Sequence, residues 1–250
     1  MKSRIISMVL TKVTAQALPM LLILLSPFAT MGRPVECADQ CLPGRYSAQA
    51  AQVDFGREGY SASHPIYAPD RQKALRIDDD RLWLEIREKR IATPPDPHDW
   101  SWVEIGWAPD SQTFFISHSV GYTTGYRVEL FRLQGDTVVA LADVNRAVQR
   151  DFERRHKCYD TAYKTGNNPN IAGLAWMDNA NELPVIAEVP NVGVCKQMGY
   201  FAGYLVSADS GGIIQRYSPQ KLAQHWGKQL GENLLSDLHY MSNPEKMIEP

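Results

Sequence analysis

The chain has 250 residues, of which 44% are hydrophobic and 22% are charged, and its formal net charge is −2 at pH 7. This composition supplies enough apolar residues for a sizeable core and excludes a predominantly disordered chain. The mildly acidic balance argues against non-specific binding to nucleic acids, which needs a basic surface, so we expect no nucleic-acid partner.

The first 32 residues are predicted to form a secretory signal peptide. A leader with three basic residues precedes an almost uncharged apolar run at 15–31, which is the pattern of a signal sequence. Cleavage after Gly32 would leave a single exported, β-rich domain, 33–250, in the periplasm or outside the cell. Its formal net charge would be −5, and it would not be an integral membrane protein. The alternative is an uncleaved N-terminal membrane anchor, although a span takes about 20 apolar residues.

The four cysteines all lie beyond the predicted cleavage point, and an even number in an exported chain indicates disulfides. We predict that Cys37 pairs with Cys41 and that Cys158 pairs with Cys195. The alternative is a zinc site, because Cys37 and Cys41 have a spacing seen in zinc knuckles. No His stands at a matching spacing beside the second pair, so we predict no metal and no cofactor.

Three stretches of the chain share an aromatic residue that is followed by a tight turn and a strand. In WAPDS, residues 107–111, Trp107 is an apolar anchor, Pro109 presets φ in the turn, and Asp110 can bond to its own backbone. Alternating apolar and polar residues then predict strands that continue to about residue 141. The same order recurs from Tyr67 and from Trp176, which gives repeat units at about 66–90, 104–142 and 172–217.

These units predict a mainly β fold of propeller-like antiparallel meanders. A period of about 40 residues with four short strands per unit is typical of a propeller blade. The turn resembles that of the TolB-like and WD-repeat propellers, whose blades carry an aromatic, Ser or Ala, Pro, Asp and Gly run after the first strand. Every copy here lacks the final Gly. The alternatives are an α+β fold with an antiparallel sheet, or a β-sandwich.

An inserted helix is predicted at about 144–157, after Asp143 as its N-cap. Residues 144, 148 and 152 place apolar side chains on one face, as expected for a helix that packs on a core. Arg146, Arg150 and Arg154 follow one another along a second face. We interpret that stripe as a solvated helix face, and an acidic partner is the alternative.

A C-terminal helix is predicted at about 219–239. Ser218 and Pro219 have the residue types of an N-cap and a first helical position. Leu or Trp then recurs at every fourth residue from 222 to 238. We expect this stripe to cover a sheet face or edge that an incomplete propeller leaves open.

A Pro-rich stretch, TPPDPHDWSW at 93–102, contains the strongest candidates for binding. Trp100 and Trp102 are two residues apart and would face the same side of an extended chain. Together with Tyr122 and Tyr126 from a neighbouring loop, they could form an aromatic platform for a sugar or a peptide. The alternative is that both tryptophans are core residues.

Catalytic signatures are absent from the sequence, which has no nucleophile elbow, HExxH motif, phosphate loop or dinucleotide fingerprint. His118 lies between two serines, but neighbours in a strand point to opposite faces, so neither serine can share its face. The acidic run Asp78–Asp80 lacks the Gly and Glu of an EF-hand loop. We interpret it as a hairpin turn without calcium.

The sequence therefore favours an exported, non-catalytic binding or scaffold protein that uses loops of a β-rich domain to hold a protein, peptide or glycan partner. The alternative is an exported hydrolase or lyase whose residues converge from separate strands. That alternative predicts His118 or His64 beside a carboxylate in a pocket.

Overall fold

The computed structural model describes residues 42–54, 65–78, 81–87, 89–93, 100–120, 125–156, 168–190 and 198–241. The predictions for the signal peptide, the four cysteines, His64 and Tyr122 lie outside these residues. Asp79 and Asp80 also lie outside them, and Asp78 and Trp100 are described only as backbone. Among the described residues, no helix is both long and apolar enough to cross a membrane.

Strands dominate the described residues, so the predicted mainly β fold is confirmed. The strands are β1 Leu42–Pro43, β2 Ala51–Asp54, β3 Ile66–Tyr67, β4 Lys73–Asp78, β5 Arg81–Ile86, β6 Lys89–Ala92, β7 Trp100–Trp107, β8 Thr113–Val120, β9 Arg127–Gln134, β10 Thr137–Ala140, β11 Asn170–Gly173, β12 Glu182–Glu188, β13 Phe201–Ser207 and β14 Ile213–Tyr217. The helices are α1 Asn145–Arg155, α2 Pro219–Trp226 and α3 Glu232–Met241.

Three antiparallel meanders of four strands form the framework. The first sheet has the order β3-β4-β5-β6, the third has the order β11-β12-β13-β14, and the second has β7-β8-β9-β10 preceded by β1-β2. The meanders cover 66–92, 100–140 and 170–217. Their ranges coincide with the three predicted repeats, and the meanders are compatible with blade-like units. Within the described residues they form a series rather than a closed ring.

The turn after the anchor residue has the same geometry in all three units. An Asp or Asn side chain accepts a hydrogen bond from the backbone N–H two residues later, at 2.8–3.0 Å, in the pairs Asp70–Gln72, Asp110–Gln112 and Asn179–Asn181. The residue between them is left-handed in each turn, with φ of 56° at Arg71, 55° at Ser111 and 52° at Ala180. This is the position where the propeller pattern has Gly. The turn therefore keeps its left-handed geometry although another residue type stands in place of Gly.

The tryptophan anchors connect successive units through a repeated hydrogen bond. The indole Nε1 of Trp107 donates to the carbonyl oxygen of Ile66 at 3.0 Å, and that of Trp176 donates to the carbonyl oxygen of Gly106 at 3.1 Å. Ile66 and Gly106 each precede the anchor residue of the previous unit. We call these two bonds the indole ladder. The repeated aromatic residue is thus explained by contact between units.

The sheets stack face to face on two apolar cores. The first core lies between the first and second sheets and includes Leu75, Leu84, Ile105 and Phe114. The second lies between the other face of the second sheet and the third sheet, with Val148 and Phe152 of α1 and the preceding Val144 packed into it. All three side chains are fully buried, as the sequence predicted, but the N-cap of α1 is Val144 and not the predicted Asp143.

The C-terminal helices cover the far face of the third sheet. Leu222, Trp226, Leu230 and Leu234 are buried there in a third core, and Ser218 Oγ accepts the N-cap hydrogen bond from Lys221. The prediction of one continuous helix over 219–239 is wrong. After a short 3-10 helix at 227–229, Leu230 is extended, with φ −70° and ψ 131°. The reason is a long-range contact with the N-terminal segment 42–54.

The N-terminal segment 42–54 crosses the break between these helices. Gly231 N donates to Tyr46 O at 2.8 Å, and a Cβ on Gly231 would lie 2.3 Å from the carbonyl oxygen of Arg45. Further along, β2 pairs with the outer edge of β7. This segment thus joins the edge of the second sheet to the C-terminal helices.

Candidate binding site at the long-loop end

The two ends of the sheets differ in the length of their connections. At one end lie the repeated turns, and the connections 68–72, 108–112, 135–136, 174–181 and 208–212 have at most eight residues. At the other end, β2, β6, β8 and β12 end and β3, β7, β9, β11 and β13 begin, and apart from the short stretch 79–80 the sequence that precedes each of these starting strands is six to fourteen residues long. We call the latter the long-loop end. Long connections on a rigid framework are where binding residues concentrate.

Two of the four predicted binding residues come together at the long-loop end. The guanidinium carbon of Arg45 lies 4.7 Å from the centre of the Trp102 ring, which is the distance of a cation–π contact. Tyr126 packs edge-on against Tyr46, with ring centres 4.8 Å apart. Trp102 is half-buried, whereas Tyr126 is buried. The exposed part of this aromatic group is therefore Trp102 with Arg45.

The position of Trp100 relative to Trp102 is not set by simple alternation. The register of β7 against β8 shifts between these residues, so that Trp100 pairs with Val120 and Trp102 with Ser119. A bulge of this kind re-aims side chains at the end of a strand. Their spacing of two residues therefore does not fix a common side.

Glu104 lies beneath this aromatic group and is 1% exposed. Its two carboxylate oxygens accept hydrogen bonds from Tyr46 N at 3.0 Å and from Ser47 N at 3.2 Å. Burial raises the pKa of Glu104 to about 7, although the N–H donors and Arg45 act in the opposite direction. Glu104 thereby fixes the segment that carries Arg45 to the second sheet.

A second buried carboxylate, Glu188, ends β12 on the third sheet. Its Oε2 accepts from the hydroxyl of Tyr46 at 2.8 Å and from Asn170 Nδ2 at 2.9 Å. Asp237 of α3 lies beside Glu188, and burial, together with this neighbouring carboxylate, raises the pKa of Asp237 to about 8.

These groups form one polar cluster between the second sheet, the third sheet and α3. We call it the acid cluster; its members are Arg45, Tyr46, Glu104, Tyr126, Asn170, Glu188 and Asp237. It contains three carboxyl groups and one guanidinium, which is a balance that suits hydrogen-bond donors and cations. Ser119 lies opposite Trp102 on β8, and its buried hydroxyl has no hydrogen-bond partner among the described residues.

The serines beside His118 do not form a catalytic pair with it. Ser117 Oγ accepts a hydrogen bond from Gly173 N of the third sheet at 2.9 Å. His118 lies on the opposite face, with Nε2 3.5 Å from Glu129 Oε1, and is 5% exposed. The His118–carboxylate proximity that a hydrolase would need is present, but a serine nucleophile on the same face is not.

Sequence reasoning missed Arg45, Glu104, Glu188 and Asp237. A signal existed for two of them, because Glu104 and Glu188 interrupt runs of apolar residues in strands, and a strand buried on both faces reads as a continuous apolar run. A charged residue there is buried and needs partners. For Arg45 and Asp237 the sequence carries no comparable signal.

Comparison with known proteins does not assign the chain to a family. No family model matches the chain, and no curated protein matches it.

Proposed function

We propose that this protein is an exported, non-catalytic binding protein that holds a protein, peptide or glycan partner at the long-loop end, through Trp102 and Arg45. The carrying observation is the half-buried Trp102 in contact with Arg45, above the buried Glu104 that accepts hydrogen bonds from Tyr46 N and Ser47 N. Trp and Arg are the residues that most often dominate the binding energy of an interface. Export is supported by the N-terminal basic leader and the apolar run.

The geometry supports binding because the site is held rigidly. Arg45 belongs to a segment whose neighbouring N–H groups are bonded to Glu104, while Asn233 N donates to the carbonyl oxygen of Arg45 at 3.2 Å. A side chain on a fixed backbone loses little further entropy when a partner binds.

A screen of immobilised glycans and peptides tests this proposal. We expect a hit whose affinity falls at least about tenfold in Trp102→Ala, as is usual for an interface tryptophan. Trp83→Ala is the matched control, because Trp83 is a half-buried tryptophan on the first sheet and does not belong to the acid cluster. Equal loss in both variants, or no binding to any member of either panel, would contradict the proposal.

A second candidate is an exported hydrolase, and the Glu188–Asp237 pair favours it. Two carboxyl groups in one buried site, with the pKa of Asp237 raised to about 8, could supply a general acid and a general base. Chromogenic glycoside and peptide substrates would reveal such an activity, and Asp237→Asn should abolish it while the circular dichroism spectrum is retained. Activity that survives this substitution would exclude the pair as the catalytic centre.

A further inference from the structure

Helix α1 and strand β14 place three arginines around one buried carboxylate. Asp151 is 2% exposed, and it accepts hydrogen bonds from Arg216 at 2.6 and 2.8 Å, from Arg154 at 2.7 Å and from Arg155 at 3.1 Å. Although burial acts to raise it, these arginines lower the pKa of Asp151 to about 2. The carboxylate is therefore ionised and cancels one of three positive charges.

The exposed face of α1 extends this positive charge in a row. Arg146, Arg150 and Arg154 are all exposed and are spaced four residues apart, which puts neighbours about 6 Å apart along the helix axis. Arg146 and Arg150 have no ion pair among the described residues. Like charges at this spacing repel each other along a helix. Within the described residues, Arg154 is the member of the row that has an ion pair, with Asp151.

The chemistry of the row favours a partner with carboxylates. The row contains three arginines, and the two other cations beside it, Arg155 and Arg216, are also arginine. Arginine binds carboxylates with two parallel hydrogen bonds and is enriched in protein interfaces, whereas lysine is depleted there. Arg155 and Arg216 are also held in place by Asp151, so they are ordered before a partner arrives. The chain as a whole is mildly acidic, so this cluster of arginines differs in sign from the net charge.

We propose that the arginine face of α1, formed by Arg146, Arg150, Arg154, Arg155 and Arg216, docks an acidic segment of a partner protein, rich in Asp or Glu. The argument rests on charge complementarity and on the order that Asp151 imposes. The face lies on α1 and β14, and the proposal does not depend on the function of the long-loop end.

The test measures binding of a fluorescent Glu-rich peptide to the intact protein, with a Gln-rich peptide of equal length as the reference. We expect binding of the Glu peptide alone, which weakens as salt rises from about 50 to 200 mM. The double variant Arg146→Gln/Arg150→Gln should weaken it about fivefold, since each exposed ion pair contributes up to about 1 kcal/mol. Arg81→Gln, an exposed arginine of β5, is the matched control and should leave the affinity unchanged.

A stability measurement separates binding from folding. The double variant should keep the melting temperature or raise it by about 1 °C, because it removes like-charge repulsion along α1. The proposal is overturned if the Glu peptide does not bind at low salt, or if Arg81→Gln weakens binding as much as the double variant. Preferential binding to phosphatidylglycerol vesicles or to inorganic phosphate would overturn it as well, because the face would then recognise phosphate.

Discussion

The indole ladder makes a quantitative prediction about how the blade-like units are held together. Trp107→Phe keeps an aromatic ring against Phe114, whose ring centre is 5.0 Å away, but removes the N–H that donates to Ile66 O. A buried carbonyl that loses its partner costs about 1–3 kcal/mol. The smaller ring adds a cavity cost of about 1 kcal/mol. We therefore expect a loss of about 3 kcal/mol in the free energy of unfolding.

Urea titration followed by circular dichroism measures this change, and a thermal melt should show a fall of roughly 6–12 °C for a chain of this size. Trp176→Phe should behave alike, because its indole makes the equivalent bond to Gly106 O. Trp83→Phe is the control, since Trp83 does not take part in the ladder. If Trp107→Phe costs no more than Trp83→Phe, the ladder does not hold the units together.

Two further predictions concern the turns and the acid cluster. Arg71→Gly should raise the free energy of unfolding by about 0.5–1 kcal/mol in urea titration, because Arg71 is exposed and a left-handed φ costs a non-Gly residue about 1–2 kcal/mol, part of which the added entropy of unfolded Gly offsets. Arg81→Gly, at an exposed position in β5, is the control and should destabilise. Because burial raises the pKa of Glu104 to about 7, its stabilising contribution is complete below about pH 4.5 and is lost as pH rises through 7. Glu104→Gln should therefore flatten the fall in the free energy of unfolding between pH 5 and 7, and an unchanged slope in this variant would refute the assignment. The slope that remains near pH 8 comes from the titration of Asp237.

The repeated turns could be predicted because their causes are local. Pro109 and Asp110 restrict their own backbone and bond within a few residues, so the sequence around them carries the whole signal. The apolar spacing in α1 was equally informative, since burial of Val148 and Phe152 follows from the helix period.

The remaining features depend on residues far apart in the chain. The C-terminal helix breaks at Gly231 because the backbone of Arg45 lies against it, and a spacing of four residues cannot show that contact. Glu104 and Glu188 meet Tyr46 only when the first described segment lies between two sheets. The candidate site was therefore half predicted, through Trp102 and Tyr126, while its charged members became apparent only from the fold.

The position of segment 42–54 has a consequence for how the chain can fold. Ser47 forms a bridge with Leu230, so the first described strands reach their final contacts only when residues near the end of the chain are present. Contacts of such long sequence separation slow folding, because a long loop must be closed before they form. The three units can form one after another, but segment 42–54 can complete its contacts only after α2 and α3 have formed. A chain that lacks α2 and α3 would expose the far face of its third sheet and would lose the contacts that residues 46–48 make with residues 229–231.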